Sequence, residues 1–375
     1  MKIIQVVENL DRGAVENWLV TVFIKSRELR PDWEWTFYCI LGREGKLDEK
    51  VRKAGGNIVY SPVTVSDKPG FLKNLRSELK RGKYDILHVH HDYLSGFYLT
   101  ASAGIKFRKR LLHVHNTDKS LPVGNSILRR LLLKPFRIMG TSLTDTVVGI
   151  SEDTLAAFVR TKQFRKPAQE LLYYGIDMNR FDVSPQKEDI RTQFHIPQNG
   201  KILLYTGRLN ELKNPVFVVE LLNELLKKRK DVYAVFVGTG DLQHEIEQTA
   251  TQFKITDHIR LAGWHDNVPL LMKSSDVFVF PRKLNPKEGL GIVVIEAQAA
   301  GLPMFITHGI VSDAIEIPEL AYFIDPVDPA EWALQINNVL DASPSINPQR
   351  ALEIMKRSKF ELGNATKNLV DLYER

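Results

Sequence analysis

The stretch DVFVFPRKLNPKEGLGIVVIEAQAAGLPMFIT, residues 276–307, contains a complete strand–helix–strand pattern. Two short apolar runs, DVFVFP and LPMFIT, are separated by a polar loop and by the apolar helical segment GIVVIEAQAAG. Short runs that are apolar on both faces are typical of parallel strands in a sheet covered by helices on both sides. The stretch therefore predicts a parallel sheet with crossover helices.

The same alternation of apolar runs and helical segments extends through the rest of the chain. The other runs are KIIQVV, WTFYCIL, NIVYS, DILHVHH, RLLHVHN and DTVVGIS in the first half, and KILLYTG, DVYAVFVG, HIRLAG and AYFID in the second. The polar stretch 173–200 interrupts the alternation between the two halves. We therefore expect two doubly wound α/β domains that face each other across a cleft, with ligands at the carboxyl ends of the strands.

Composition restricts the classes of protein to which the chain can belong. The 375 residues exceed one typical core, and the single cysteine, Cys39, excludes an intrachain disulfide. We expect no membrane span, because no apolar run reaches roughly 18 residues, and no signal peptide. Residues 1–180 hold 30 Lys and Arg against 19 Asp and Glu, whereas the remainder holds 21 against 26. The basic first half is either a solvated face or an attraction for membrane, a phosphate-bearing acceptor or nucleic acid.

The loop before the helix of the opening stretch has the features of an anion site. Gly289 and Gly291 flank the point, near Leu290, where we expect the helix to begin. Free N–H groups and the helix dipole attract a phosphate there, and glycines let it approach the backbone closely. Two carboxylates, Glu288 and Glu296, lie roughly 12 Å apart along a helix axis. Because Glu296 stands in an apolar segment, it needs either a hydroxyl-rich ligand or a buried cation as partner.

Two more junctions between a strand and a helix in the second half resemble phosphate sites. In LLYTGRLNELKN, a strand ends at Gly207 and is followed by Arg208 and Lys213, two cations beside a helix start. Such cations suit a diphosphate. In VFVGTGDL, Gly238 and Gly240 follow another strand. Three such junctions in one half of the chain favour a nucleotide-type ligand.

These motifs together resemble the retaining GT-B glycosyltransferases of family 4, in the polysaccharide-assembly branch. The pair Glu288 and Glu296 matches the family's pattern of Glu, seven residues and Glu, and GRLNELKN and VGTGDL match two of its loops. YGIDMNRF resembles the segment that enters the second domain, with Tyr174 in place of the usual Asn. RGAVENWL resembles the N-terminal glycine loop, with only Gly13 where two glycines are usual. The segment RKLNPK before Glu288 is longer than the common family form.

The resemblance implies a role for each of these positions. His115, Glu288, Arg208 and Lys213 would be catalytic. Glu288 would hold the donor sugar, and Arg208 and Lys213 would neutralise the leaving diphosphate in place of a metal ion. His115 would contact the donor sugar from the opposite domain. The donor-binding positions would be Gly13, Gly207, Gly238, Gly240, Gly289, Leu290, Gly291, Ile292 and Glu296, the last of these at the ribose hydroxyls.

The resemblance also implies a domain division and an activity. The first domain, 1–175, would bind the acceptor; 176–200 would be a linker, 201–358 the nucleotide-sugar domain, and 359–375 a helix that packs back on the first domain. The implied enzyme is a hexosyltransferase that moves a sugar from a nucleotide diphosphate sugar to a glycan or lipid-linked acceptor, with retention, in surface polysaccharide assembly. It would need no cofactor and no metal, would favour a UDP-sugar over a GDP-sugar, and would bind no nucleic acid. Its expected location is cytoplasmic, with or without peripheral attachment to the inner face of the plasma membrane.

Histidines at two predicted strand ends offer an alternative chemistry. HVHH contains His88, His90 and His91, and HVHN contains His113 and His115. Alternating histidines can bind zinc in a metal-dependent hydrolase. The other interpretation is that one histidine faces the cleft and the others are packed or solvated. Because no acidic residue stands at a suitable spacing, we predict no metal site.

Three further alternatives rest on single features. A GT-B nucleotide-sugar epimerase would share the fold, but the two glutamates with Arg and Lys fit it less well. A nucleic-acid-binding module would use the basic first half, yet the chain lacks aromatic-rich basic strips that stack bases. A NAD dehydrogenase is disfavoured because no Gly-x-Gly-x-x-Gly follows the first strand. The segment 126–140, with Arg129, Arg130, Lys134 and Arg137, is either a membrane-docking helix or a core helix with a solvated basic edge.

Overall fold

The computed structural model describes residues 1–11, 13–116, 127–159, 166–183, 187–342 and 345–375, with only the backbone described for 127–132 and 187–189. The chain divides into two compact units. Unit 1 comprises Met1–Ile176 and Leu362–Arg375, and unit 2 comprises Asp177–Glu361.

Unit 1 is built on a seven-stranded parallel sheet with the order β3-β2-β1-β4-β5-β6-β7. The strands are β1 (Lys2–Val7), β2 (Glu34–Cys39), β3 (Asn57–Tyr60), β4 (Ile86–Val89), β5 (Lys109–Val114), β6 (Thr146–Gly149) and β7 (Ala168–Leu171). The central strands are buried on both faces, as their unbroken apolar runs predict. Strand β7 is a difference from the sequence prediction. Its sequence, AQEL, is polar and half of it is exposed, because it lies at the edge of the sheet.

Unit 2 contains a six-stranded parallel sheet with the order β10-β9-β8-β11-β12-β13. Its strands are β8 (Lys201–Thr206), β9 (Val232–Val237), β10 (Ile259–Gly263), β11 (Val277–Phe280), β12 (Met304–Ile306) and β13 (Ala321–Phe323). All six coincide with apolar runs read from the sequence. The fold class is therefore two doubly wound α/β units, as predicted. In each sheet the strand order reverses beside the first strand of the unit, β1 or β8. Open α/β sheets bind ligands at this switch point.

The helices between the strands begin and end at the following residues. In unit 1 they are α1 (Ala14–Leu29), α2 (Asp48–Lys53), α3 (Lys68–Gly82), α4 (Ser95–Leu99), α5 (Ile127–Leu143) and α6 (Glu152–Val159). In unit 2 they are α7 (Lys187–Gln193), α8 (Val216–Leu226), α9 (Gln243–Phe253), α10 (Val268–Ser274), α11 (Ile292–Ala300), α12 (Pro329–Asp341) and α13 (Pro348–Arg357). Among the described helices, none combines the length and apolar character needed to cross a bilayer.

The chain returns to unit 1 after α13. Helix α14 (Leu362–Glu374) packs along α1, and the Leu362 amide donates to the Ile176 carbonyl at 3.0 Å. Tyr373, near the end of α14, is fully buried. Its hydroxyl is hydrogen-bonded to Gln5 on β1 and to His88 on β4. The range 176–200, predicted as a linker, contains a 3-10 turn at Met178–Phe181 and helix α7, and nearly all of it belongs to unit 2.

Candidate active site

Three charged side chains meet at the carboxyl ends of β8 and β11 in unit 2. The Lys213 ammonium and the Arg282 guanidinium both donate to the same carboxylate oxygen, Oε2 of Glu288; the Arg282 Nε–Oε2 distance is 2.7 Å. Lys213 stands in the loop after β8, whereas Arg282 and Glu288 stand in the loop after β11. A lysine and a glutamate predicted separately as site residues thus meet in one cluster, which we call the charge cluster: Lys213, Arg282 and Glu288.

Burial makes this cluster strongly polarised. The side chain of Arg282 is 3% exposed, and those of Glu288 and Lys213 are each 21% exposed. Burial raises the pKa of Glu288, but the two adjacent cations outweigh it, so the net shift is downward and the carboxylate is ionised at neutral pH. Burial has the largest effect on Lys213 and, with the charges of Arg282 and Arg208, lowers its pKa against the opposing effect of Glu288. The cluster is a pre-assembled set of charges rather than a solvated ion pair.

Sequence reasoning missed Arg282, although the residue is the most buried member of the cluster. Its guanidinium also donates to the Lys283 carbonyl at 2.8 Å, and the Glu288 amide donates to the Gly309 carbonyl at 2.8 Å. Thr307 donates to the Arg282 carbonyl at 2.8 Å and so fixes the strand end. The available signal was a cation placed directly after Pro281, where the strand ends.

The loop that carries Lys213 is held by its own hydrogen bonds. The Lys213 amide donates to Oδ1 of Asn210 at 3.1 Å, and its Nζ lies 5.1 Å from the centre of the Phe280 ring. Arg208, in the same loop, is exposed, and its charge contributes to lowering the pKa of Lys213. Arg208 is therefore close enough to act on the same ligand as Lys213, while it retains the freedom of an exposed side chain.

The glycines after β8 and β9 have a packing role that the sequence did not reveal. A Cβ at Gly238 would lie 2.0 Å from the Gly207 carbonyl oxygen, and one at Gly240 would lie 2.2 Å from the Leu209 carbonyl oxygen. The Leu209 amide donates to the Thr239 carbonyl at 3.0 Å. The two loops touch backbone to backbone, which only glycine permits. Gly207, Gly238 and Gly240 thereby hold the Arg208 loop in place.

Helix α11 begins beside Glu288, two residues later than the sequence indicates. Gly291 precedes its first residue, Ile292, with φ of +83°, a left-handed conformation that favours glycine. The first N–H groups of a helix have no partners within the helix, and they carry the positive end of its dipole. Leu290 is buried beneath this turn. The amides from Gly289 to Ile292 therefore surround the start of the helix, where an anion is stabilised.

Glu296 lies on the second turn of α11 without a charged partner. Its carboxylate is half-buried and, within the described residues, makes no hydrogen bond or ion pair. Burial raises the pKa of Glu296 to about 7, and the exposed guanidinium of Arg180 lowers it in part. The sequence allowed either a buried cation or a ligand as partner, and no buried cation among the described residues pairs with Glu296. The carboxylate is thus free to accept hydrogen bonds from a ligand.

The predicted unit 1 residue, His115, is buried and engaged on both ring nitrogens. It is 5% exposed; its Nδ1 lies 2.6 Å from the Tyr174 hydroxyl and its Nε2 lies 3.1 Å from Nδ1 of His90. The buried Asp92 carboxylate accepts from the backbone amides of His115, at 2.7 Å, and Asn116. Burial, with a smaller contribution from other histidines, lowers the pKa of His115, so the ring is neutral. His115 therefore belongs to a hydrogen-bonded network and offers no unoccupied ring nitrogen.

Three histidines in and beside this network stand close enough together to be considered as a metal site. The ring nitrogens of His88, His90 and His113 lie within 4.8 Å of one another in the part of unit 1 that is described. Zinc needs nitrogen ligands at about 2.0–2.1 Å. Both nitrogens of His90 are already bonded, to Gln5 and His115, and neither carboxylate nor thiolate joins the group. The residues present fit a metal ion poorly.

Gly13 stands at the start of α1 in an acidic setting. A Cβ there would lie 2.0 Å from the Glu16 carboxylate, whose pKa is raised by burial and by the charges of Glu8 and Asp11. These carboxylates counteract the attraction of the helix start for a phosphate. The role of Gly13 in donor binding stays a prediction.

The segment 126–140 corresponds to much of α5, and Ser126 and the side chains of Arg129 and Arg130 lie outside the description. Lys134 is exposed, whereas the Arg137 guanidinium donates to the Ala157 carbonyl at 2.8 Å and lies 5.5 Å from the centre of the Tyr93 ring. Leu133 packs against the core of unit 1. The described part of the helix packs on the core and has one basic edge, and docking of that edge to a membrane stays a prediction.

Two family models match the chain. The model described as glycosyl transferases group 1 matches residues 186–356, and the model described as glycosyltransferase family 4 matches residues 20–180. Between them they contain every predicted site residue except Gly13.

Named relatives extend over nearly the whole chain. EpsF of Bacillus subtilis strain 168, provisionally named a glycosyltransferase, is 27% identical over 368 residues, which are 96% of this chain and 92% of the relative. An Escherichia coli enzyme, UDP-Gal:alpha-D-GlcNAc-diphosphoundecaprenol alpha-1,3-galactosyltransferase, is 22% identical, with 90% and 86% covered. CapH of Staphylococcus aureus, a capsular polysaccharide biosynthesis glycosyltransferase, is 22% identical, with 100% and 98% covered. No epimerase or hydrolase stands among these relatives.

Solved structures show the same fold. HepE of Anabaena in complex with UDP superposes with a TM-score of 0.82 at 16% identity, with 100% of both chains covered. WaaG, a glycosyltransferase involved in lipopolysaccharide biosynthesis, gives a TM-score of 0.76 at 16% identity, with 100% and 99% covered. The two parallel-sheet units are those of the GT-B fold.

Proposed function

We propose that this chain, a glycosyltransferase of the group 1/family 4 type, transfers a hexose from a nucleotide diphosphate sugar to a glycan or lipid-linked acceptor with retention of configuration. The observation that carries the proposal is the charge cluster, in which one carboxylate is shared by Lys213 and Arg282. It stands beside the start of α11, at the strand ends where this fold binds ligands.

The charges at this position suit a diphosphate. Lys213, Arg282 and the exposed Arg208 carry three positive charges against one negative charge on Glu288. The amides at the start of α11, with the helix dipole, add a further positive field. A nucleoside diphosphate group supplies the missing negative charge, and Lys213 then shares its donors between the phosphate and Glu288.

The same groups favour the transition state of sugar transfer. As the bond between the anomeric carbon and the diphosphate breaks, negative charge grows on the leaving oxygen. Fixed cations at Lys213 and Arg208 stabilise that charge more in the transition state than in the bound donor. Glu288, ionised and anchored by Arg282, accepts hydrogen bonds from hydroxyls of the donor sugar. No metal ion is required for these steps.

The two glutamates of the motif bind opposite ends of the donor. Glu296 faces no cation within hydrogen-bonding distance in the described part of unit 2, and vicinal ribose hydroxyls are suitable donors to its carboxylate. Binding of a ribose replaces the missing hydrogen bonds of a half-buried acid. The glycines and amides between Glu288 and Glu296 meet the diphosphate.

The names of similar proteins support a UDP-sugar as donor. HepE has a crystal structure in complex with UDP-glucose, and the Escherichia coli relative is named for UDP-Gal. A relative from Mycobacterium tuberculosis is named as GDP-mannose-dependent, at 28% identity over 69% of this chain. We propose a UDP-sugar as donor, with unit 1 binding the acceptor and His115 serving the donor sugar, as the resemblance implies. The acceptor is proposed from the same names: a diphosphoundecaprenol-linked sugar or a capsular polysaccharide.

A thermal-denaturation screen against UDP, GDP, ADP and their sugars tests the proposal. A ligand that binds only the folded state raises the denaturation temperature in proportion to its affinity and concentration. We expect UDP to give the largest rise, in the presence of EDTA as well as without it. If none of the nucleotides at millimolar concentration changes the denaturation temperature, the proposal is wrong. The configuration at the anomeric carbon of the product, read by NMR, tests retention separately.

A further inference from the structure

A continuous chain of side-chain hydrogen bonds runs through the core of unit 1. It begins at Tyr174, whose hydroxyl lies 2.6 Å from Nδ1 of His115, and continues from Nε2 of His115 to Nδ1 of His90 at 3.1 Å. Nε2 of His90 lies 2.8 Å from Oε1 of Gln5, and Nε2 of Gln5 donates to the Tyr373 hydroxyl at 2.8 Å.

The chain ends at His88. The Tyr373 hydroxyl lies 2.7 Å from Nδ1 of His88, and Nε2 of His88 has no hydrogen-bond partner among the described residues. Every member is at most 7% exposed. Six parts of unit 1 contribute to it: strands β1 and β4, the segments after β4, β5 and β7, and helix α14. No water is needed to close any step.

The amide of Gln5 gives this chain a direction. Its oxygen only accepts, so Nε2 of His90 must carry a proton, and Nδ1 of the neutral His90 must then accept. Nε2 of His115 is therefore the donor to His90, and its Nδ1 accepts from the Tyr174 hydroxyl. On the other side, the Gln5 nitrogen donates to the Tyr373 hydroxyl, which in turn donates a hydrogen bond to Nδ1 of His88.

We propose that Gln5 and Tyr373 are positioning residues that hold His115 as the neutral tautomer with its proton on Nε2. The assignment rests on the proposed function only where it gives His115 a part in transfer. Tyr373 acts through Gln5: its hydroxyl accepts from the amide nitrogen and so keeps the amide oxygen toward His90. Helix α14, which carries Tyr373, thus helps to position His115.

The surroundings keep the chain neutral. Burial lowers the pKa of His88, His90 and His115 well below the ordinary value, and neighbouring histidines lower it further. The His113 ring stacks on His115 with centroids 4.3 Å apart. Two neutral rings can stack in this way, whereas two imidazolium ions would repel each other.

The direction of the chain also fixes the role of the buried Tyr174 hydroxyl. Because its proton is committed to His115, Tyr174 is the donor at the start of the chain. If the chain ran the other way, the Tyr174 oxygen would accept from Nδ1 of His115.

Long-range proton–nitrogen NMR on protein labelled at its 10 histidines reads the tautomer of each ring directly. Assignments come from single His→Gln variants. We expect His115, His90 and His88 to carry the proton on Nε2, and Tyr373→Phe to convert His115 to a mixture of tautomers. The matched control is Tyr38→Phe, which removes another tyrosine hydroxyl bonded to an amide side chain, Asn74 at 2.8 Å.

Each outcome decides the proposal. A proton on Nδ1 of His115 in the wild-type protein overturns the direction of the chain, even if Tyr373→Phe fails to fold. A wild-type pattern in Tyr373→Phe overturns the role of Tyr373. In a transfer assay, Tyr373→Phe should lower kcat about tenfold or more, as loss of a residue that orients a functional histidine does, with little change in the KM for the donor. The NMR readout needs no substrate, so it stands even if no sugar is transferred.

Discussion

Replacing Glu296 with Gln should stabilise the free protein and weaken its binding of nucleotide. Burial raises the pKa of this carboxyl from 4.5 to about 7 in the folded chain. At about 1.36 kcal/mol for each pKa unit between the folded and unfolded states, the ionised acid lowers the free energy of unfolding by at most about 3 kcal/mol. Water at the half-buried carboxylate reduces the effect, so we expect about 1–3 kcal/mol.

The pH dependence of this effect has a definite sign. Below pH 4.5 the acid is protonated in both states, and the stability it contributes as a neutral group is complete. Between pH 4.5 and 7 the unfolded chain ionises while the folded chain keeps its proton, so the free energy of unfolding falls as the pH rises. Glutamine remains neutral throughout. The difference in the free energy of unfolding between Glu296→Gln and the wild type should therefore be near zero at pH 4.5 and reach its full value at pH 8.

Urea denaturation at several pH values measures this difference. The control is Glu247→Gln, which makes the same chemical change at an exposed position within helix α9. In calorimetry, Glu296→Gln should weaken UDP binding about tenfold or more, because a hydrogen bond to a charged group contributes about 1.5–3 kcal/mol. The loss should shrink for 2′-deoxy-UDP. A variant that is equally destabilised at pH 5 and pH 8, and that binds UDP as the wild type does, would refute the reasoning.

Three further predictions concern the rest of the proposed site and α5. Arg282→Ala should weaken UDP binding at least tenfold and lower the free energy of unfolding by about 3–5 kcal/mol, because it leaves the buried Glu288 without one of its two cations; unchanged UDP affinity in calorimetry would contradict this. EDTA should leave the rate of sugar transfer unchanged, and a loss that added metal restores would show that a metal ion takes part. Lys134→Glu should reduce flotation with anionic vesicles without changing stability, whereas Arg137→Glu should lower stability because its guanidinium is bonded to Ala157; flotation of Lys134→Glu equal to wild type would favour the core-helix interpretation.

Much of the fold was predictable because parallel strands in this class are buried on both faces. Such strands appear as uninterrupted apolar runs, and twelve of the thirteen strands were predicted in this way. The exception, β7, lies at a sheet edge, where half of the strand meets water and the apolar signal is lost. The start of α11 was placed two residues early, because only the backbone shows that Gly291 is left-handed and outside the helix.

Two of the three residues in the charge cluster were predictable from the sequence, but their contacts were not. The spacing of Glu288 and the cation at Lys213 identified both, yet their direct ion pair joins positions 75 residues apart. Arg282 carried no pattern of its own, and only its burial beside Glu288 reveals it. The contact of His115 with the donor stays a prediction. Its ring nitrogens bond to Tyr174 and His90, partners that sequence spacing does not indicate.

The glycines after β8 and β9 show how one pattern fits two physical roles. Gly238 and Gly240 were predicted to admit a phosphate to the backbone. In the structure they admit another segment of backbone, the loop at Gly207 and Leu209. Both roles require the absence of a side chain, so the sequence alone does not separate them. Their part in donor binding stays a prediction.

Calorimetric titration of UDP into Lys213→Ala, Lys283→Ala and wild-type protein tests the central claim most directly. Both variants lose one lysine from a loop of unit 2, but Lys213 belongs to the charge cluster, whereas Lys283 is exposed with its Nζ 3.6 Å from the exposed Glu211. The proposed site predicts that Lys283→Ala binds UDP as the wild type does and that Lys213→Ala loses at least tenfold in affinity. Equal affinity of the two variants for UDP would contradict the assignment of this cluster as the diphosphate site.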